Sequence, residues 1–493
     1  MTGETLIIAA LLIPVLTAAG IFFAGRLPDV REGVTLLGAG ALFVVAIWLA
    51  TTVSTDEPAS LLLGTSVPGL DFAFKMEPLG AMFALVASGL WIVNSFYSIG
   101  YMRGNRERNQ TRFYICFAIA LMGAVGVAMA ANLFTLFVFY EVLTLSTFPL
   151  VAHKEDSNAL RGGRIYLMTL LATSIGLLLV AIVWTATLAG SMDFVPGGLL
   201  SGVESVTPVV ASALLILFAF GIGKAALMPV HFWLPNAMVA PTPVSALLHA
   251  VAVVKAGVFT MAKVGLYVFG FDLLKETPAR DFVLGVACLT IIVASLIAIT
   301  KDDLKARLAY STVGQLAYVT AGVMIANQTG MMGGALQIPS HAFGKMTLFM
   351  CAGAIYVATG KKAISQMRGL GRRMPWVFGA FLVGSLSIIG IPPFAGSWPK
   401  VMLMLGSAES GDAYVAGVLI ISSLLNIAYL LPIAVIGLMP PKGSPEPAPY
   451  KRPEGAPVFT VAAPVFTAVG TLVLFFFMGE LYDFLLPAIG GQP

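Results

Sequence analysis

Fourteen apolar stretches divide this sequence, and they constrain its fold more than any other feature. A helix needs about 20 mostly apolar residues to cross the hydrocarbon core of a bilayer. Of the 493 residues, 58% are hydrophobic and 11% are charged, whereas an ordinary soluble domain has about 25% charged residues. The sequence therefore predicts an all-α, polytopic membrane protein. The predicted spans are 5–25, 33–53, 78–99, 113–130, 133–152, 165–190, 209–230, 243–270, 282–300, 308–326, 333–359, 376–408, 413–438 and 458–486.

The placement of the 28 Lys and Arg residues supports this count. Twenty of them fall in the odd-numbered connections, five lie inside spans, and the even-numbered connections hold only Lys75, Lys275 and Arg280. Basic residues accumulate on the cytoplasmic side of membrane proteins. The odd connections are thus predicted to be cytoplasmic, with both termini on the outer side of the cell (inner) membrane.

Two of the predicted spans are interrupted by proline. The seventh runs into Pro229 and Pro235, and the twelfth breaks at Pro392 and Pro393. Proline removes a helical hydrogen bond, so both spans are predicted to be discontinuous helices. Breaks in corresponding positions of two halves indicate an inverted-repeat transporter. The predicted units are helices 1–3 (1–112), two five-helix repeats (113–270 and 271–438), and a linker with helix 14 (439–493).

Five lysines and one glutamate lie inside the apolar stretches. Each costs about 2.5–3.5 kcal/mol on insertion scales and is retained when it pairs, reaches water or has a function. The six residues are Glu141, Lys224, Lys255, Lys263, Lys345 and Lys400.

Glu141 is the one acidic residue deep inside a predicted span, and its partner would decide whether it holds a proton. Lys224 and Lys255, on the neighbouring spans seven and eight, are the natural partners. A lysine between an apolar environment and a carboxylate can gain and lose a proton, which is what a relay requires. The alternatives are a structural ion pair for Glu141 and, for the two lysines, an ammonium group that snorkels to the interface.

Histidines accompany the lysines. His341 and Lys345 are four residues apart and share a helix face, while His249 lies six residues before Lys255. Neutral imidazole both donates and accepts a proton, so both histidines are candidate relay groups, with packing as the alternative. His231 is expected to be a packing residue at the helix break, and His153 to be solvated among loop charges.

The remaining two lysines have opposite predictions. Lys263 lies near the end of span eight and is expected to be an interfacial residue. Lys400 follows the second break and is a candidate terminal relay group, the alternative being an anchor beside Trp398.

No cofactor or metal site is expected. Cys116, Cys288 and Cys351 are far apart and lie in apolar segments, which excludes the usual zinc and disulfide spacings. The first apolar stretch is interpreted as a retained span, because it lacks a basic region and a cleavage motif. The Pro-rich stretch at 440–457 is predicted to be a cytoplasmic linker.

Five ordered motifs resemble those of one protein family. They are FYEVLTLSTFPLV (139–151), KAALMPVHFWLP (224–235), APTPVSALLHAVAVVKAGVF (240–259), LAYSTVGQLAYV (308–319) and HAFGKMTLF (341–349). They are similar to motifs of the antiporter-like subunits of respiratory complex I, membrane-bound hydrogenases and Mrp-type cation/proton antiporters, above all the Mrp-type D subunit. Asn236 departs from the acidic residue that many members carry after WLP.

The resemblance implies specific roles. Glu141 would pair with Lys224, Lys255 would continue a central polar axis, His341 and Lys345 would be later relay residues, and Lys400 would be a terminal site. It implies a proton-translocating subunit, not itself an enzyme, that works beside homologous and small membrane subunits and exchanges protons for Na+ or another monovalent cation. The alternatives are a proton-pumping subunit of a redox complex, a quinone-active redox enzyme, and an inert scaffold. No nucleic acid partner is expected.

Overall fold

The computed structural model describes residues 2–53, 58–67, 70–440 and 457–490. Most of the predicted linker at 440–457 lies outside the described residues. The secondary structure of the described residues is helical apart from one short hairpin and isolated β-bridges, which confirms the all-α class.

Helices of the first part of the chain follow the predicted spans closely. They are α1 (Gly3–Phe23), α2 (Pro28–Thr52), α3 (Pro78–Gly104), α4 (Gln110–Met129), α5 (Leu133–Val151), α6 (Ser157–Ala189), α7 (Pro208–Gly221), the short α8 (Trp233–Asn236) and α9 (Thr242–Glu276). Helix α6 contains a π-helical turn at Ser174–Leu178, and α9 contains two, at Leu248–Ala252 and Val264–Phe269.

The second part of the chain continues in the same manner. Its helices are α10 (Ala279–Thr300), α11 (Leu304–Met324), α12 (Gln328–Thr359), the short α13 (Leu370–Arg373), α14 (Pro375–Ile389), α15 (Ser397–Glu409), α16 (Tyr414–Leu438), α17 (Val458–Phe476) and α18 (Met478–Ile489). Pro339 lies inside α12, which runs through it without interruption.

Eleven of the described helices are long and apolar enough to cross a membrane, and α7 and α14 are shorter apolar helices. This confirms a polytopic membrane protein. The count of fourteen spans and the inverted repeats stay predictions.

A β-hairpin joins α2 to α3, which the sequence did not predict. Strand β1 (Ser60–Val67) pairs antiparallel with β2 (Leu70–Lys75). Asp71 in β2 binds the start of α5 through its backbone carbonyl, which accepts hydrogen bonds from Asn132 Nδ2 (2.9 Å) and Thr135 Oγ1 (3.2 Å). The hairpin therefore holds the end of α5 that precedes Glu141.

Both predicted helix interruptions are present. Helix α7 ends at Gly221, and a 3₁₀ turn at Gly223–Ala225 carries Lys224, so that this lysine lies in the break and not ahead of it. In the second interruption α14 ends at Ile389 and α15 begins at Ser397. Each break leaves backbone groups at a helix end without helical partners, and these groups are available to side chains.

Helix α9 lies at the centre of the protein, with every residue from 241 to 270 buried. It packs directly on the first break. A Cβ at Gly257 would lie 2.4 Å from backbone atoms of Lys224 and Ala225, so glycine is required for this approach. Gly396 plays the same part in the second break, where a Cβ would lie 1.9 Å from the carbonyl oxygen of Ser387. The outer helices instead expose large apolar side chains, as expected in lipid: Leu16, Phe23, Leu37, Leu424 and Phe466.

Candidate proton-translocation site

Lys224 is fully buried and binds the backbone and side chains of α5. Its Nζ donates hydrogen bonds to Thr144 Oγ1 (2.6 Å) and to the carbonyl oxygen of Tyr140 (2.8 Å), and it lies 3.1 Å from the centroid of the Tyr140 ring. The Tyr140 hydroxyl accepts from the backbone N–H of Lys224 (3.1 Å). A snorkelling lysine is thereby excluded, because the ammonium group points into the protein.

Glu141 does not form the direct ion pair with Lys224 that the resemblance implies. Both carboxylate oxygens of Glu141 are shielded from solvent and lack a hydrogen-bond partner among the described residues. The two groups are still close enough to interact electrostatically. The reason is geometric. The ammonium group of Lys224 instead donates its hydrogen bonds to neutral oxygens of Tyr140 and Thr144, which lie on α5 with Glu141.

His249 and Lys255 lie on α9 and are both completely buried. Within the described residues, neither ring nitrogen of His249 nor Nζ of Lys255 has a hydrogen-bond partner. The π-helical turn at Leu248–Ala252 interrupts the α-helical register between them, so their spacing along an ideal helix does not describe their orientation. Such π turns occur often at functional sites. His249 faces Trp233, with ring centroids 6.1 Å apart.

His341 and Lys345 share the buried face of α12 that the four-residue spacing predicts. Lys345 Nζ donates to Ser311 Oγ on α11, and the Leu308 carbonyl lies 3.4 Å away. His341 has no partner in the described part of the chain. Lys255 is close enough to interact electrostatically with both residues. The structure thus brings α9 and α12 together as one polar centre.

Lys400 is 5% exposed and is not an interfacial anchor. Its Nζ donates to the carbonyl oxygen of Ile389 (2.6 Å) and to Ser423 Oγ on α16 (2.8 Å). Ile389 is the last residue of α14, and the carbonyl groups of a last helical turn lack helical donors and carry partial negative charge. The helix break therefore creates the acceptor that Lys400 uses.

Lys263 was expected to be interfacial, and this expectation is wrong. The residue is completely buried, and its Nζ lies 3.1 Å from Glu77 Oε2 and donates to the Ala130 carbonyl (2.7 Å). The Phe194 ring centroid is 4.3 Å away. Glu77 precedes α3, so a residue from a distant connection supplies a counter-ion that the sequence of span eight alone does not reveal.

His153 was expected to be solvated, and this is also wrong. The residue is 3% exposed and packs edge-on against Phe113, with centroids 5.7 Å apart. Its carbonyl accepts from Arg112 (3.1 Å). Burial lowers the pKa of His153 in this connection between α5 and α6. His231, expected at the helix break, is half-exposed, with Nδ1 3.2 Å from the Pro229 carbonyl.

A cavity of about 320 Å³, with both apolar and charged residues in its wall, lies beside the first break, on the side that carries the basic connections. Lys305 lines it and donates to the carbonyl oxygen of Ala240 (2.5 Å). Lys305 also interacts electrostatically with His249. Further residues in its wall are Tyr101, Lys154, Thr242, Asp303, Tyr356, Lys361 and Lys362. Lys305 therefore links this cavity electrostatically to the buried His249.

The neutral partners of the lysines were not predicted from the sequence. Thr144 and Ser311 lie inside two of the motifs, FYEVLTLSTFPLV and LAYSTVGQLAYV. The sequence signal that could have identified these partners is a hydroxyl residue three or four positions from an ionisable residue, or opposite it on the next helix. Ser423 lies on α16, next to the polar residue Ser422 and three positions before Asn426.

The comparison with known families decides the identity of the fold. The family described as "NADH:quinone oxidoreductase/Mrp antiporter, TM" matches residues 130–426, more than half of the chain. The chain belongs to this family. The match contains every buried ionisable residue described above from Glu141 to Lys400, and it confirms the resemblance carried by the five motifs.

Relatives within the antiporter family come from more than one kind of complex. The N subunit of the NADH-quinone oxidoreductase of Desulforudis audaxviator is 30% identical over 95% of this chain and 93% of its own length. The D subunit of the Na(+)/H(+) antiporter of Alkalihalophilus pseudofirmus is 25% identical over 88% of this chain and 86% of its own length. Several other relatives are longer, and the chain spans 40–57% of three of them.

Solved structures of the same fold cover nearly the whole chain. A chain of the membrane-bound sulfane sulfur reductase, an archaeal respiratory complex, matches with a TM-score of 0.84 and 22% identity, over 98% of this chain and 97% of that one. A chain of the Mrp complex from Dietzia sp. matches with a TM-score of 0.81 and 21% identity, over the same shares. At this identity the likeness establishes the fold of the antiporter family.

Proposed function

We propose that this chain translocates protons as one subunit of a multi-subunit Na+/H+ antiporter. The single observation that carries the proposal is the contrast between Lys263 and the other buried lysines. Lys263 has a carboxylate in contact. Lys224, Lys255, Lys345 and Lys400 have no such counter-ion among the described residues.

This contrast matters because a buried charge that serves structure is normally paired. Ammonium groups that bind only neutral oxygens, or nothing, can lose a proton without leaving an unpaired carboxylate behind. An inert scaffold is therefore disfavoured for these four lysines, while it describes Lys263 well. Intramembrane ionisable groups of this kind mark proton relays.

The proposed path follows the polar residues across both halves. Protons reach Glu141 and Lys224, pass Lys255 and His249 to His341 and Lys345, and leave past Lys400. The electrostatic interaction of Lys255 with His341 and Lys345 supports the middle step. The cavity lined by Lys305, which interacts electrostatically with His249, supports access to this histidine from the basic side.

The setting of the path is proposed on the same basis. The distribution of basic residues supports a cell-membrane protein with both termini outside. The two interrupted helices support inverted repeats at 113–270 and 271–438, flanked by 1–112 and 439–493. The relatives are subunits of larger complexes, which supports homologous and small membrane subunits as partners of this chain.

A second function is favoured by one comparison. The relative with 30% identity over 95% of this chain belongs to an NADH-quinone oxidoreductase, so the chain would then pump protons with energy from electron transfer in partner subunits. The buried residues suit both functions. What differs is the energy source.

The experiment that separates the two uses inside-out vesicles that contain the native complex. A proton gradient is imposed by acidifying the lumen, without electron donor or quinone, and Na+ or K+ is added. We expect Na+ to dissipate the gradient in vesicles with the complex and not in vesicles from a deletion strain. Dissipation by neither cation, with proton movement only after an electron donor is added, would support the redox pump.

A further inference from the structure

A stripe of uncharged polar residues on α16 lies between Lys345 and Lys400. Ser422, Asn426 and Tyr429 are spaced by four and three residues and share one helix face, and all three are buried. Ser423, one position along, is half-buried. Polar groups are rare on an otherwise apolar membrane helix and tend to face the interior of the bundle. The stripe therefore needs a partner surface, and the two lysines provide it.

At the Lys345 end the hydrogen bonds form a chain with a defined direction. Lys345 donates to Ser311 Oγ, which lies 2.7 Å from the Tyr429 hydroxyl, and Tyr429 donates to Asn426 Oδ1. An ammonium group can only donate and an amide oxygen can only accept. The donor at one end and the acceptor at the other therefore determine the direction of the hydrogen bond between them. Ser311 donates to Tyr429, and every hydrogen in this chain points away from Lys345.

At the Lys400 end a second set of hydroxyls meets the same stripe. Lys400 donates to Ser423 Oγ (2.8 Å), and Tyr318 donates to Ser422 Oγ (2.9 Å). The Tyr318 ring centroid lies 5.4 Å from Lys400 Nζ. The Tyr318 hydroxyl also interacts electrostatically with Ser423 and Asn426.

Asn426 connects the two sets. Its amide oxygen holds the Tyr429 hydroxyl, and the Tyr318 hydroxyl lies beside the same side chain. The two phenols are close enough to interact electrostatically. Asn426 is completely buried, and its Nδ2 has no acceptor in the described part of the protein. This side chain therefore keeps a free donor at the point where the two sets of hydroxyls meet.

We propose that Ser311, Tyr429, Tyr318 and Ser423 form an uncharged hydroxyl bridge, positioned by Asn426, that carries a proton between Lys345 and Lys400. For the transfer, the Tyr429 hydroxyl turns from Asn426 to Tyr318, and the Tyr318 hydroxyl turns from Ser422 to Ser423. Each hydroxyl oxygen then accepts one proton and releases its own, the last one passing from Ser423 to the Lys400 amine. The net change is one proton lost by the Lys345 ammonium and one gained by the Lys400 amine, with no charge left on the bridge. The bridge rests on the proposed function, since it links two of the relay lysines.

The test uses the intact complex in proteoliposomes and a matched pair of substitutions at Ser423. Ser423→Ala removes the hydroxyl, while Ser423→Thr keeps it and adds one methyl group at a half-buried position. We expect proton flux to fall about tenfold in Ser423→Ala, as for the loss of one hydrogen bond in the transfer path, and to return in Ser423→Thr. The solvent deuterium isotope effect should rise in Ser423→Ala, because proton transfer becomes rate-limiting.

Tyr429→Phe is the second variant, and Tyr97→Phe is its control. Tyr97 is an equally buried tyrosine that donates to the Met350 carbonyl (3.0 Å), away from the bridge. We expect Tyr429→Phe to lower flux and raise the isotope effect, and Tyr97→Phe to change neither. If Tyr429→Phe fails to assemble, the Ser423 pair decides the outcome.

Lys345→Met separates this proposal from the proposed function. If Lys345→Met abolishes flux while Ser423→Ala and Tyr429→Phe keep the wild-type flux and isotope effect, the bridge is wrong and the proposed function stands. If Lys345→Met leaves flux unchanged, the relay itself fails, and the bridge fails with it.

Discussion

Lys224 donates its 2.6 Å hydrogen bond to Thr144, three residues beyond Glu141 on the same helix. Residues three apart lie next to each other on a helix surface, so the ammonium group lies beside the carboxylate without contacting it. Both oxygens of Glu141 lack a partner in the described chain. A rotation of the lysine side chain from Thr144 to Glu141 would exchange a neutral acceptor for a charged one. In this structure, therefore, Lys224 and Glu141 are neighbours that have not formed an ion pair.

Replacement of Thr144 by valine should bring Lys224 and Glu141 into a direct ion pair. Lys224 then lacks one of its two oxygen acceptors and is expected to turn to Glu141. We expect a loss of about 1–3 kcal/mol in stability and slower transport, because an ion pair must break in every cycle. Thermal unfolding and proton flux of the purified complex measure both effects. Thr144→Ser, which keeps the hydroxyl, should resemble the wild type, and equal effects of the two substitutions would contradict this account.

Lys255→Met tests whether the central lysine is retained for function and not for stability. Its Nζ is buried with no partner among the described residues, and a buried unpartnered polar group costs free energy. We expect stability to be unchanged or to rise by about 1–3 kcal/mol, while proton flux falls about a hundredfold or more. Lys275→Met, at the exposed end of the same helix, is the control. A destabilised complex with normal flux would show a structural role.

Glu77→Gln should have the opposite outcome. The substitution removes the counter-ion of Lys263 but keeps the shape of the side chain, and about 1–3 kcal/mol of stability should be lost. Flux per assembled complex should stay at the wild-type value, because this pair lies outside the proposed path. Glu276→Gln, on an exposed residue, serves for comparison in thermal unfolding. Reduced flux without a loss of stability would place Glu77 and Lys263 in the path.

His153 should make the stability of the complex depend on pH. Its pKa is lowered by burial, so the folded protein binds fewer protons than the unfolded chain below the unfolded pKa of about 6.5. The stabilisation by neutral His153 is full above that pH and is lost as the pH falls further. The unfolding temperature of the wild type should therefore drop more between about pH 8 and pH 5 than that of His153→Gln. Parallel curves would show that this residue makes no such contribution.

Much of the fold could be predicted from the sequence because the bilayer permits few solutions. The length of the apolar stretches predicts the helices. The prolines indicate the two interruptions, which the structure has at 222–241 and 390–396. The β-hairpin of Ser60–Val67 and Leu70–Lys75 could not be predicted in the same way, because its two strands are short and show no long apolar run. The π-helical turns of α9 likewise follow from packing and leave no mark in hydrophobic periodicity.

The sequence predicts which ionisable residues belong to the candidate site, but it does not predict which groups bind them. Buried ionisable residues are conspicuous in an apolar sequence, so Lys255 and Lys400 could be identified without coordinates. Which group satisfies each charge depends on tertiary contacts: Glu77 reaches Lys263 from a distant connection, and Ser423 reaches Lys400 from another helix. The burial of His153 beside Phe113 also arises from packing between elements.

The most direct test of the central claim is the proton flux of the complex with Glu141→Gln. Glutamine keeps the shape of the side chain but cannot exchange a proton, and no hydrogen bond of the carboxylate within the described structure is lost. Glu480→Gln, on an exposed residue of α18, is the matched control. The relay predicts normal assembly and a flux at least about a hundredfold lower for Glu141→Gln, with wild-type flux for Glu480→Gln. Wild-type flux in a fully assembled Glu141→Gln complex would contradict it.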